Sequence, residues 1–200
     1  MLPLVAISFA RVQNPWTTLA VIVAALAMAA QPDRAMAGML CLATLVVGWM
    51  RASKWTAGAA VICTMTFAAT LLLPDNLTAV PYVDHIIWTA FEINLVVGLA
   101  LWFGCLLIVS PIVFLSKSER TTGHYVFTSC WFVLITAAAM GAYPTPLIGY
   151  GSSAIIGYFL SLTLVRTKHE LSATKEPKNL GGTEKKDSQF KVSKMSAVGV

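Results

Sequence analysis

The chain has 200 residues, 57% of them hydrophobic and only 12% charged, with a mean hydropathy of +0.73. A soluble domain carries about 25% charged residues and about 45–50% apolar ones. The composition excludes a soluble globule and a disordered chain, and predicts an integral membrane protein. Charge is uneven: eight of the 14 Lys and Arg residues lie at or beyond Arg166, whereas residues 1–165 hold six basic and five acidic side chains. The pI of 9.1 therefore belongs to the tail. No basic stripe of the kind that binds nucleic acid is present.

A spanning helix needs about 20 mostly apolar residues, and six stretches approach this. They cover 16–30, 35–50, 55–73, 86–115, 125–143 and 147–165. Alternating barrel strands are absent, so the spans are expected to be helices. The fourth stretch would be about 45 Å long as a straight helix, more than a bilayer requires. Pro111 is expected to end or kink it. The predicted fold is all-α, a polytopic transmembrane bundle of about six spans over 1–166. A basic, disordered cytoplasmic tail is expected over 167–200.

Basic residues in short loops set orientation. Arg11 precedes the first span, Arg51 and Lys54 separate spans two and three, and Lys117 and Arg120 separate spans four and five. With six spans and both termini in the cytoplasm, all of these fall on one side. The opposite loops contain only Arg34, beside Asp33, so a multi-pass topology with both termini in the cytoplasm is expected. The run WTTLAVIVAALAMAAQ also has the form of a signal-peptide core with an Ala-x-Ala site. Cleavage there would leave five spans.

Among candidate chemical groups, Glu92 stands about two turns into the fourth span, where a charge is costly and usually faces a wet cavity or a polar partner. Thr89 and Asn94 are the nearby partners. Asp84 precedes the same span and has the form of a helix cap. A helix through both acids would put them on roughly the same side, in a stripe running inward from the outer surface. Cys41, Cys63, Cys105 and Cys130 lack metal or redox spacing and read as apolar packing residues, so no metal site is predicted from them. His85 and His124 read as interfacial residues at span entries. Ser153 and Gly157 form a small-xxx-small pair that permits close helix approach.

Two stretches together carry a family resemblance. PTPLIGYGSSAIIGYFLSLTLV, residues 144–165, resembles the closing motif of the FtsW/RodA/SpoVE (SEDS) membrane proteins. VPYVDHIIWTAFEINLVVG, residues 80–98, resembles their preceding outer-loop and helix motif, with Asp84 on the family's Asp, Glu92 on its first Glu and Gly98 on its final Gly. The likeness covers about residues 80–170. Ile93 stands where the family has a second Glu, and Ser152 where it has a second Gly. Residues before 80 carry no such likeness.

The resemblance implies a role in peptidoglycan synthesis, cell shape or division. Family members polymerise lipid II outside the membrane with a penicillin-binding transpeptidase partner. Carried over, Asp84 would be the catalytic base, or a carboxylate associated with a divalent cation. Glu92 would support it in a cavity, and Tyr150, Gly151, Ser152 and Ser153 would shape the wall of the outer site. No other cofactor is implied; membrane lipids are the expected surroundings and nucleic acid is not an expected partner. Two other readings stand beside the glycosyltransferase: a non-catalytic scaffold of an envelope or conjugation-type secretion machinery, and a small transporter using Glu92 as a relay.

Overall fold

The computed structural model describes residues 2–31, 33–73, 86–140, 143–145 and 152–165, the side chains of Ser152 and Ser153 excepted. These residues contain nine helices and no β-strand. They are α1 (Leu2–Arg11), α2 (Pro15–Ala30), α3 (Arg34–Met50), α4 (Lys54–Leu72), α5 (Ile86–Ile93), α6 (Leu95–Val109), α7 (Pro111–Phe114), α8 (Thr122–Met140) and α9 (Ser152–Leu164). The all-helical class follows directly. By length and composition, α4 and α8, each of 19 residues, are long and apolar enough to cross a membrane; α1, α2, α3, α6 and α9 are apolar but shorter. The expected disordered tail and the boundary at 166 lie outside the described residues.

Local chemistry fixes the first long helices. Asn14 accepts a hydrogen bond from the Thr17 amide while the Thr17 hydroxyl accepts one from the Asn14 amide, and Pro15 occupies the first helical position of α2. Such reciprocal bonds satisfy amides that a helix start otherwise leaves unpaired. Ser53 and Thr56 repeat the arrangement at α4. Asp33 caps α3 by accepting from the Met36 amide at 2.9 Å. Its neighbour Arg34 reaches across to the far end of α4, donating from Nε to the Thr70 carbonyl at 3.2 Å and from Nη2 to the Leu73 carbonyl.

Two features depart from the sequence expectation. The residues ahead of the first predicted span are themselves a helix, and a central one. α1 contacts α2, α3, α8 and α9, and its Ala6, Ile7, Phe9 and Ala10 are at most 1% exposed. The 86–115 stretch is not one kinked span but three helices. The break at Pro111 occurs as expected, but Asn94 opens another, with extended backbone (φ −165°, ψ 135°) and a side chain that caps α6 through the Val96 amide. There α5 turns back on α6, with the Phe91 ring lying against Gly98.

The core is completed by α3, α8 and α9. Tyr158 of α9 packs against Phe127 and Trp131 of α8, with centroids 5.4 and 5.1 Å apart. Near the other end of the pair, Val165 lies beside Gly123, so α8 and α9 run antiparallel. The Tyr158 hydroxyl donates to the Ile108 carbonyl at 3.1 Å and so ties α6 to this cluster. All four cysteines are buried and free, in keeping with the packing role expected of them.

Candidate functional site: an apolar cavity walled by the start of α9

The beginning of α1, Leu2 and Pro3, serves as one wall of a cavity of about 470 Å³. Met28 and Gln31 at the end of α2, Asp33 and Met36 at the start of α3, and Trp131 and Leu134 of α8 supply further walls. The remaining wall is Ala154, Ile156 and Gly157, from the first turns of α9. The volume suits a drug-sized ligand or one segment of a longer one, and a mostly apolar lining with a few polar groups is usual for such sites.

Gly157 keeps this space open. A methyl group in place of its hydrogen would meet no heavy atom within 4 Å. The close helix approach expected of the Ser153–Gly157 pair is therefore not made at Gly157, which borders a void. Gln31 and Asp33 are the polar residues of the lining. The Asp33 carboxylate, already holding the Met36 amide, repels phosphate but can accept bonds from sugar hydroxyls. Trp131 is 2% exposed, and its indole N–H has no hydrogen-bond partner, which costs about 1–3 kcal/mol in a buried donor.

The residues singled out from sequence are only partly brought to this place. Asp84, Tyr150 and Gly151 lie outside the described residues, and so does the Asp84–Glu92 stripe. Ser152 and Ser153 open α9, immediately before the lining residue Ala154. Glu92 occupies an exposed position in the last turn of α5 and does not line the cavity. His124 is buried at the start of α8, where its Nδ1 accepts from the Thr121 amide at 3.1 Å, a local structural bond. His85 and His169 lie outside the described residues. Among the described residues no three His, Cys, Asp or Glu side chains gather as a metal site would require.

Sequence reasoning missed Gln31, Asp33 and Trp131. Asp33 carried the signal of a helix cap, which it is, and nothing local marks a cap as also facing a void. Compared with protein-family models, curated proteins and solved structures, the chain matches none.

Proposed function

We propose that the chain is a multi-pass protein of the bacterial inner membrane that binds a lipid-linked sugar substrate in the α9-walled cavity and acts in peptidoglycan synthesis. The observation that carries the reading is that Ala154, Ile156 and Gly157 line the cavity. They belong to GYGSSAIIGY, the stretch that resembles the SEDS closing motif. An apolar lining suits a polyprenyl chain, Gln31 can donate to the diphosphate that follows it, and Asp33 can accept from the sugar hydroxyls.

The membrane part of the reading is supported by what the bundle leaves uncovered. Trp49 is 93% exposed, Leu72 87% and Met140 83%, and apolar surface on this scale calls for a lipid or protein cover. A cytoplasmic face carrying Arg11, Arg51, Lys54, Lys117 and Arg120 accounts for their segregation from the opposite loops. The expectation of both termini on that face is corrected at the start of the chain, because α1 runs back from Arg11 and brings Leu2 to the cavity beside Gln31 and Asp33.

In this reading Asp84 takes the proton from the acceptor sugar hydroxyl as its oxygen bonds to the donor's anomeric carbon, a general-base role worth about 10²–10⁴ in rate. The donor's polyprenyl diphosphate leaves with the electron pair of the broken C–O bond. A penicillin-binding transpeptidase is the expected partner. Purified protein with such a partner is given labelled lipid II and the products are sized on a gel. Polymer from the native chain but not from Asp84→Asn, at equal melting temperature, is the expected result. No polymer from the native chain, with Asp84→Asn still supporting growth, contradicts catalysis. It would favour the scaffold reading, which the position of Glu92 away from the cavity lining also supports.

A further inference from the structure

A second site stands apart from the cavity, where the α1–α2 turn meets the α3–α4 turn. These turns lie about forty residues apart in sequence and are joined by a hydrogen bond from Arg51 Nη1 to the Arg11 carbonyl, 3.5 Å long. We infer that together they bind the headgroup of an anionic phospholipid, with Arg11, Arg51 and Lys54 around the phosphate and Trp16, Trp49 and Trp55 against the adjoining lipid. The inference rests on the membrane reading above, though not on catalysis.

Three independent features converge there. Arg11, Arg51 and Lys54 are all exposed, and no acidic residue occurs in 1–32 or 34–74 to neutralise them. Three of the four helices that end at this place, α2, α3 and α4, carry a tryptophan within two residues of that terminus. Trp16 is 76% and Trp49 93% exposed, and Lys54 Nζ stands 5.3 Å over the Trp55 ring. An indole with an apolar body and a polar N–H favours the level of lipid headgroups. Basic side chains beside it then meet the phosphates.

The attraction comes from side chains and not from the helix ends. The first turns of α2 and α4 are already capped by Asn14 and Ser53. The other basic loop differs. Between Lys117 and Arg120 stands Glu119, an acidic neighbour of a kind absent from the proposed site. No tryptophan lies in 103–130. That loop has charge without the aromatic flank and makes a natural control.

The test uses the full chain in nanodiscs of phosphatidylcholine, alone or mixed with phosphatidylglycerol. After extraction into mild detergent, retained lipid is weighed by native mass spectrometry. Retention of phosphatidylglycerol by the native chain is expected, weakened roughly fivefold for each charge removed in Arg11→Gln, Arg51→Gln and Lys54→Gln. Lys117→Gln/Arg120→Gln should retain it fully. Lys54→Gln leaves the Arg51–Arg11 bond in place and so separates lipid loss from misfolding, with helical content checked by circular dichroism. Equal retention by the triple variant, or displacement of the lipid by inorganic phosphate, overturns the site. Failure of the native chain to enter either nanodisc overturns the membrane reading and the site together; entry without preference overturns the site alone.

Discussion

Trp88 and Trp102 are fourteen residues apart in sequence, yet their rings meet edge to face with centroids 6.1 Å apart. Along a straight helix that separation would be about 21 Å. The chain has therefore doubled back at Asn94. The indole N–H of Trp88 donates to the Ala139 carbonyl at 2.7 Å, so α5 is also tied to the end of α8. Exposed Ile93, Leu95 and Val96 form the turn.

The turn requires glycine at position 98, because a Cβ there would overlap the Phe91 ring. Gly98→Val should destabilise the protein by about 1–3 kcal/mol, the range for overpacking. Phe91→Ala in the same chain should recover part of that loss. Thermal melts of the two single variants and the double variant give the coupling directly. Additive losses would mean that the ring and Gly98 do not meet.

Arg34 joins the start of α3 to the last turn of α4 through charged bonds to two carbonyls. Arg34→Gln should lower stability by about 1.5–3 kcal/mol, the usual worth of a hydrogen bond to a charged group. Arg34→Lys should lose less. Chemical denaturation in detergent measures both, and a silent Arg34→Gln would show that solvent substitutes for these contacts.

Glu92 can be separated from the fold because it is exposed. Glu92→Gln and Glu92→Leu should both leave the melting temperature within a degree or two, as surface substitutions change stability by about 0.5 kcal/mol or less. A loss of cellular function in Glu92→Leu without a loss of stability would mark a partner or substrate contact. Strong destabilisation would instead make it part of a structural network.

Topology has its own test. Reporter fusions after Lys54, Asn76, Arg120 and Arg166 should read inside, outside, inside and inside. An outside reading at Arg120 or Arg166 would remove the outer placement of Asp84.

The parts of the fold legible in sequence are those announced by residues at chain breaks. Asn14-Pro15, Asp33 and Ser53 mark the starts of α2, α3 and α4, and the apolar runs behind them set their lengths. α1 escaped notice because ten residues are too few for a span, and its burial comes from four neighbouring helices that no local pattern reveals. The Asn94 break was concealed by a run that stays apolar on both sides, although a lone Asn there was the available signal. Gly157 is the clearest limit. A small residue reads the same whether a helix or a void stands opposite, and only the three-dimensional arrangement separates the two.

Gly157 also gives a binding prediction. Gly157→Leu places four carbons into the cavity without meeting a neighbour at Cβ, so stability should hold or rise slightly. Binding of a lipid-linked sugar should fall by at least tenfold. Unchanged binding would put the ligand elsewhere.

Occupancy of the cavity by a lipid-linked sugar is read out by photo-crosslinking. A photoreactive residue replaces Leu134, which lines the cavity. In a second chain it replaces Leu72, which is 87% exposed at the end of α4. Membranes carrying each variant receive labelled lipid II and are irradiated. Cavity binding predicts a labelled adduct at position 134 that excess unlabelled lipid II competes away, and no competed adduct at the exposed position 72. Equal labelling at the two positions, or none at 134, would contradict it.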